Sequence, residues 1–397
     1  MSDTNRTSGY YRHSAFIIRI LKYASILCFI VFIISCIVIF KKDITVENIQ
    51  LLAKYINIDS SSSEYVDEFS ITADDDYDIV MLRNNLCIVN NSSISLYDLS
   101  GQKLFSYKFA LSSPAVVSDE HSILVYDING NTLTAFNSFS KIKDFKFQGN
   151  VLSAHLNDTF FSVITQDESY NSSLTVFEYK NQERDYVDVY TLKSSDFLTS
   201  SAISHSGRYL VTSSVESLEG SYVCGVHIYD TSSKSVSPAY SHKISDELPI
   251  KVGFADNNKS VYLITDSSVH FYNSDFEETF NYKFNQSKIE RFYENDEMII
   301  LTEKNNLSGN SVMLIGLSKY GDELFQINIS DEIYDISIGD ENIFALGKLN
   351  VYKISQSNDV FEVTGFSNLD SKCFSLVSDT NDICYALNDT TAVKIDF

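Results

Sequence analysis

The chain has 397 residues, a formal charge of −23, 25 Tyr and 27 Phe but no Trp, and only 3 Pro and 14 Gly. That length allows a large domain plus an accessory segment, and the Tyr, Phe, Ile and Val bias suits pleated strands. Six of the 30 basic residues but one of the 53 acids precede Asp43, so the remainder carries 24 basic against 52 acidic residues, a net of −28; a surface of that sign repels phosphate backbones and excludes a nucleic-acid partner.

Residues 1–22 form a basic tail. Tyr23 to Phe40, YASILCFIVFIISCIVIF, is 18 residues long and uncharged. As a helix it covers about 27 Å. Lys22 and Lys41 can snorkel to match a hydrocarbon core of about 30 Å. The pattern predicts a transmembrane helix over 23–40, with the lipid bilayer as its partner. Arg6, Arg12, Arg19 and Lys22 precede the run, whereas Lys41 and Lys42 are followed by Asp43 and Glu47. This bias places the N-terminus in the cytoplasm and the bulk of the chain outside the cell membrane. A cleavable signal peptide has a shorter apolar core and a small-residue exit, which CIVIFKK lacks. FIISC, Phe32 to Cys36, resembles a bacterial lipobox with Cys36 acylated, but Ile37 to Phe40 continue the apolar run where lipoproteins turn polar.

Thr45 can cap a helix through VENIQLLAKYIN, with Val46, Ile49, Leu52 and Ile56 near one face. Ser60 to Ser63 then make a flexible joint. Residues 41–63 therefore read as a juxtamembrane helix and linker.

From Glu64 to Phe397, short apolar runs are broken by Asn, Asp, Ser and Gly every 8 to 12 residues, a pattern of all-β folds. The runs recur as hairpins. SISLYDLSGQKLFSYKF from Ser93 and SILVYDINGNTLTAFNS from Ser122 are followed by SLTVFEYKNQERDYVDVYTL, GVHIYDTSSKSVSPAY, SVHFYNSDFEETFNYKF, SVMLIGLSKYGDELFQINI and LNVYKISQSNDVFEVTGF. TAVKIDF, at the end of the chain, starts an eighth copy. A second hairpin precedes each, most clearly AISHSGRYLVTSS from Ala202. Four strands repeating at about 40 residues are the mark of a propeller blade.

First strands near Asp78, Pro114, Val151, Ser200, Pro249, Ile289, Ile333 and Cys373 predict about eight blades; seven remain an alternative because the second unit is short. The last unit lacks a fourth strand. EYVDEFSIT, Glu64 to Thr72, is free to supply it and close the ring, which removes exposed sheet edges.

Chemical motifs are sparse. The seven histidines, His13, His121, His155, His205, His227, His242 and His270, match no metal-ligand spacing. His205 reads as a turn residue. His227 and His270 occupy equivalent third strands and read as packing residues, with convergence on a channel as the alternative. Cys87, Cys224, Cys373 and Cys384 include no CxxC; Cys87 and Cys384 fall in neighbouring blades, but buried free thiols are favoured over a clasp. Asp74, Asp75, Asp76 and Asp78, and Asp127, Asn129 and Asn131, offer oxygen clusters of the kind calcium takes, although solvated turns explain both. No nucleophile elbow or phosphate loop occurs. No catalytic, cofactor or metal residue is assigned, and no cofactor is expected.

Tyr97-Asp98, Tyr126-Asp127 and Tyr229-Asp230 stand where WD40 repeats carry Trp-Asp. That resemblance implies rings packed between blades and carboxylates that accept N–H groups of the following turn. The outline is also similar to eight-bladed quinoprotein dehydrogenases, but their docking and cofactor-stacking tryptophans are missing here. Through SSPAVVSDEHSILVYDINGNTL, SLTVFEYKNQ, AISHSGRYLVTSSVES and the single N-terminal span, residues from about Ala15 to Phe397 resemble a family of bacterial single-span proteins with an extracytoplasmic propeller and a domain of unknown function. The resemblance implies fold and topology and transfers no catalytic residue. The expected function is a membrane-anchored module that binds a protein or cell-envelope ligand. An extracytoplasmic glycan hydrolase or lyase with acids at the channel mouth, and a scaffold of an envelope assembly, are the alternatives.

Overall fold

The structure, a computed structural model, describes residues 20–32, 35 and 65–397, apart from short stretches at 72–76, 83, 120, 139, 181–184, 219, 234, 256–259, 285–288, 305–310, 359 and 380. The chain divides into two compact units, Met1–Ser62 and Ser63–Phe397. In the first, residues 20–32 are α-helical and all their side chains are exposed. Among the described residues no helix is long and apolar enough to cross a membrane. Residues 33, 34 and 36–40 of the expected span, with Cys36, lie outside the described residues, as does the expected helix and linker over 41–63.

The second unit is all-β. Its described residues form eight four-stranded antiparallel sheets. Seven are continuous in sequence: residues 77–108, 114–146, 151–194, 197–245, 249–283, 291–329 and 335–368 make blades 1 to 7. Each is a meander of strands A to D. The A strands of most neighbouring blades lie beside one another, around a central axis. The eighth blade takes strands A to C from Ser375–Ser378, Cys384–Leu387 and Thr391–Lys394, and strand D from Glu68–Ser70. Phe69 lies opposite Ala392 in that pairing, so the ring closes as the sequence predicts. Blade 2 is complete, which sets the seven-blade alternative aside.

The B strands explain how the ring holds. Runs such as Leu86-Cys87-Ile88-Val89 and Ile343-Phe344-Ala345-Leu346 are buried throughout, because both faces of a central strand meet another blade and polar alternation disappears. Leu86 and Ile88 pack toward blade 8 with Tyr385 and Leu387, whereas Cys87 and Val89 pack toward blade 2 with Ile123 and Val125. The same division recurs at every junction, giving eight apolar interfaces among the described residues. The D strands alternate instead, as in Tyr240–Ser245, because their outer edge meets solvent.

Two of the three Tyr-Asp pairs behave as expected. Tyr97 and Tyr229 end C strands and pack against the preceding blade. Asp98 Oδ1 accepts the N–H groups of Ser100 at 3.1 Å and Gln102 at 2.8 Å, and Asp230 Oδ1 accepts that of Ser232 at 3.0 Å. Tyr126-Asp127 is a correction. It ends the B strand of blade 2 and not a C strand; SILVYDINGNTLTAFNS supplies the middle strands of that blade, as a first strand at Pro114 implies, whereas the other copies are C–D hairpins. Asp127 Oδ1 caps the preceding connection, at Ser112 and Ser113, and Tyr126 packs toward the following blade with Val151 and Phe161.

Cys87, Cys224, Cys373 and Cys384 are buried free thiols, and burial pushes all four upward in pKa. Asp74, Asp75 and Asp76 lie outside the described residues. Asn129 takes φ 62° beside Gly130, so the second oxygen cluster is a tight hairpin turn, with its aspartate already engaged as a cap.

Candidate functional site

The A strands of blades 1 to 6 line an axial cavity of about 750 Å³ that reaches the A–B turns of blades 2 to 6. Two groups of charged side chains stand on its wall.

The first joins blades 5 and 6. Lys251, on strand A of blade 5, pairs with Glu294, on strand A of blade 6. Tyr262, on strand B of blade 5, donates its hydroxyl to Glu294 Oε2 at 2.6 Å. Gly253 makes this reach possible. It lies opposite Tyr262, and a Cβ there would fall 2.1 Å from the tyrosine oxygen. Lys319, in the C–D turn of blade 6, runs into the same space with 8% of its surface exposed. Its Nζ sits 5.2 Å from the Tyr262 ring centroid. No described residue forms a hydrogen bond or a close ion pair with that ammonium, and Glu294 and Asp296 act on it electrostatically.

Burial opposes the charge on Glu294, but the Lys251 and Lys319 ammoniums outweigh it and hold the carboxyl below its ordinary range. Burial pulls Lys319 downward against Glu294 and Asp296. His155, on strand A of blade 3, is brought to about 4 by burial and by the two lysines. Its imidazole is therefore neutral at physiological pH, and its enclosed Nδ1 has no hydrogen-bond partner among the described residues.

The second group is built by A–B turns. Asp119 Oδ1 accepts the N–H groups of His121 at 2.6 Å and Ser122 at 2.7 Å. Its Oδ2 is enclosed without a hydrogen-bond partner among the described residues, and burial raises the carboxyl to about 6. Asp158, in the A–B turn of blade 3, lies between two imidazoles: His121 Nδ1 is 3.6 Å from Oδ1 and His205 Nε2 is 3.2 Å from Oδ2. His205 is thus more than a turn residue, because it reaches across from blade 4 to blade 3. Gly207, at φ +71°, allows that turn to form, with its N–H donated to the Ser204 carbonyl at 2.8 Å.

His227 and His270 occupy equivalent buried C strands, as the repeat predicts, and stand away from the cavity wall. His270 is held between Glu247, 2.9 Å from Nε2, and Glu278, 2.8 Å from Nδ1. Burial disfavours its charge, but the two carboxylates outweigh that and raise its pKa. Burial likewise opposes the charge of Glu247, whereas bonds from His270, Ser268 and Thr265 bring it to about 2. His227 lies 3.4 Å from Glu216, which also pairs with Lys243.

Sequence reasoning missed Lys251, Glu294, Tyr262 and Lys319 as a site. They come from three different strands and a turn, and no spacing links them. The turn group had a faint signal: Asp119, Asn157 and Asn295 each open an A–B turn and cap N–H groups two and three residues on.

Fold and cavity define an eight-bladed β-propeller with a charged axial cavity. The chain belongs to a family of unknown function, DUF5711, whose model matches residues 57–384. No curated relative matches its sequence. Among solved structures it is similar to BamB from Moraxella catarrhalis, at 12% identity and TM-score 0.51, covering 82% of this chain and 98% of that one. It is also similar to Sqt1 from Saccharomyces cerevisiae, at 9% identity and TM-score 0.54, covering 83% and 99%. At these identities the likeness concerns the fold.

Proposed function

We propose that this protein is a membrane-anchored, extracytoplasmic binding module that takes an acidic group of a protein or cell-envelope ligand into its axial cavity. Lys319 carries the reading. A lysine 8% exposed, with Glu294 and Asp296 offsetting its burial only in part, pays a desolvation penalty that a carboxylate or phosphate of a ligand would offset. The overall negative charge of the domain rejects anions elsewhere, so one buried cation confers selectivity. Glu294 is already committed to Lys251 and Tyr262, which withholds it from the free acid–base role a hydrolase or lyase needs.

Anchoring rests on the N-terminal run. In the helix over 20–32, large apolar side chains at Ile20, Leu21, Tyr23, Ile26, Leu27, Phe29, Ile30, Val31 and Phe32 are all exposed. They surround the helix, as a lipid environment requires. A membrane-impermeant maleimide tests the topology on intact cells. Ser232→Cys places a thiol on an exposed turn, whereas the four propeller cysteines are buried. Labelling without lysis is expected; labelling only after lysis reverses the orientation.

Ligand binding is tested by titrating the full chain in detergent with glucuronate, phosphate and an acidic tripeptide, against Lys319→Met. At least one probe should bind the native chain and lose tenfold or more in the variant. Equal binding to both, or none to either, refutes the cavity as an anion site.

A further inference from the structure

We propose that the A–B turns of blades 2, 3 and 4 form a site for one divalent transition-metal ion of the zinc class, held by Asp119, His121, Asp158 and His205. Ligand atoms of Asp119, His121 and Asp158 all lie within 4.8 Å of one another, and His205 Nε2 stands 3.2 Å from the second oxygen of Asp158. Bonds of 2.0–2.2 Å in a tetrahedron put neighbouring ligand atoms about 3.3 Å apart. The edges of 3.2 and 3.6 Å are close to that spacing. His205 touches Asp158 but stands outside the three-residue group, so its exposed ring turns inward to complete the set of four.

Asp119 supplies an independent reason. Two backbone N–H groups occupy its Oδ1 and fix the carboxylate. Its Oδ2 is enclosed, and no described residue donates to it. An enclosed carboxylate oxygen costs free energy unless something positive meets it. The spacing between turns is also fixed: Asn157 donates its side-chain amide to the Ile203 carbonyl at 2.9 Å, tying the turn that carries Asp158 to the turn that carries His205.

Two imidazoles and two carboxylates select the metal class. Calcium and magnesium take oxygen ligands, whereas mixed nitrogen and oxygen sets suit zinc and its neighbours. His121, Asp158 and His205 have side chains 45%, 41% and 50% exposed, so an ion has access from solvent. The other group of similar composition, Asp196, Glu216 and His227, already holds the Lys243 ammonium on Glu216. The metal site stands independently of the anion reading, because it uses neither Lys319 nor Lys251.

The test is calorimetric titration of the full, EDTA-stripped chain in detergent with Zn²⁺, and with Ca²⁺ for comparison. One Zn²⁺ per chain is expected, with Ca²⁺ at least tenfold weaker. Asp158→Asn combined with His205→Gln should weaken zinc binding tenfold or more while leaving the melting temperature of the stripped protein unchanged. Undiminished zinc binding by that variant, no zinc binding by the native chain, or tighter calcium binding overturns the proposal. If the double variant melts early, diethylpyrocarbonate labelling of the native chain decides instead. Zn²⁺ should protect His121 and His205 but not His242, and equal labelling with and without Zn²⁺ counts against the site.

Discussion

The Tyr385 hydroxyl donates to the Val66 carbonyl at 3.1 Å, joining residues 319 positions apart in the chain. It also lies 3.3 Å from the Leu99 carbonyl, and its ring meets Phe69 edge-on at 5.6 Å. One side chain from the last blade thus fastens the strand that closes the ring and the first blade beside it.

Closure should therefore govern the stability of the whole propeller. Deleting residues 391–397 removes the C strand that Phe69 pairs with and should unfold all eight blades together. Ala392→Asp places a charge at a fully buried position and should cost about 3–5 kcal/mol. Tyr385→Phe should cost about 1–3 kcal/mol by taking the donor from the Val66 carbonyl. Thermal unfolding measures all three, and an unchanged midpoint after the deletion contradicts the closure.

The His270 clamp predicts a window of pH. The folded pKa of His270 is raised above 6.5, so its contribution is complete below 6.5 and fades as pH rises through the folded value. The pKa of Glu247 falls from 4.5 to about 2, so its contribution is complete above 4.5 and fades toward pH 2. The gap in melting temperature between the native chain and His270→Gln should be widest between pH 4.5 and 6.5 and narrow on both sides. A gap that is constant from pH 3 to 9 would show that the clamp carries no charge.

Gly253→Ala should displace Tyr262, because the new Cβ would fall 2.1 Å from its hydroxyl. Overpacking of this kind costs about 1–3 kcal/mol. The ring carbon Cζ would also stand 2.2 Å from the new Cβ, so adding Tyr262→Ala removes the whole clash and the double variant should cost less than the sum of the two single changes. Strictly additive costs would argue against the contact.

Gly207→Val tests the mouth. A β-branched residue at φ +71° is strained, and its Cβ would fall 2.3 Å from the Phe160 ring. A loss of about 1–3 kcal/mol is expected, together with displacement of His205 from Asp158. The zinc affinity of the variant, measured below its melting temperature, should fall with it, and native affinity would separate the turn from the site.

The blades were legible because their period is written in burial. First strands expected near Asp78, Pro114, Val151, Ser200, Pro249, Ile289, Ile333 and Cys373 begin at Tyr77, Pro114, Val151, Phe197, Pro249, Arg291, Asp335 and Ser375. The closing strand was legible for the same reason, since an unclaimed strand and a missing one must meet. Tyr126-Asp127 misled because a B strand and a C strand are both apolar and both end in polar turns; only tertiary pairing tells them apart. The cavity was illegible for a different reason. Lys251, Tyr262, Glu294 and Lys319 are spread over about seventy residues and meet only after the ring brings blades 5 and 6 together. His121, Asp158 and His205 meet only once three turns share one rim.

The central claim, that the axial cavity receives a ligand, is tested most directly by photo-crosslinking in intact cells. p-Benzoylphenylalanine in place of Phe254 on the cavity wall should give one discrete adduct. Lys319→Met should diminish it, and the same group in place of the exposed Phe366 on blade 7 should not give it. No adduct from position 254, or the same adduct from both positions, would contradict the account.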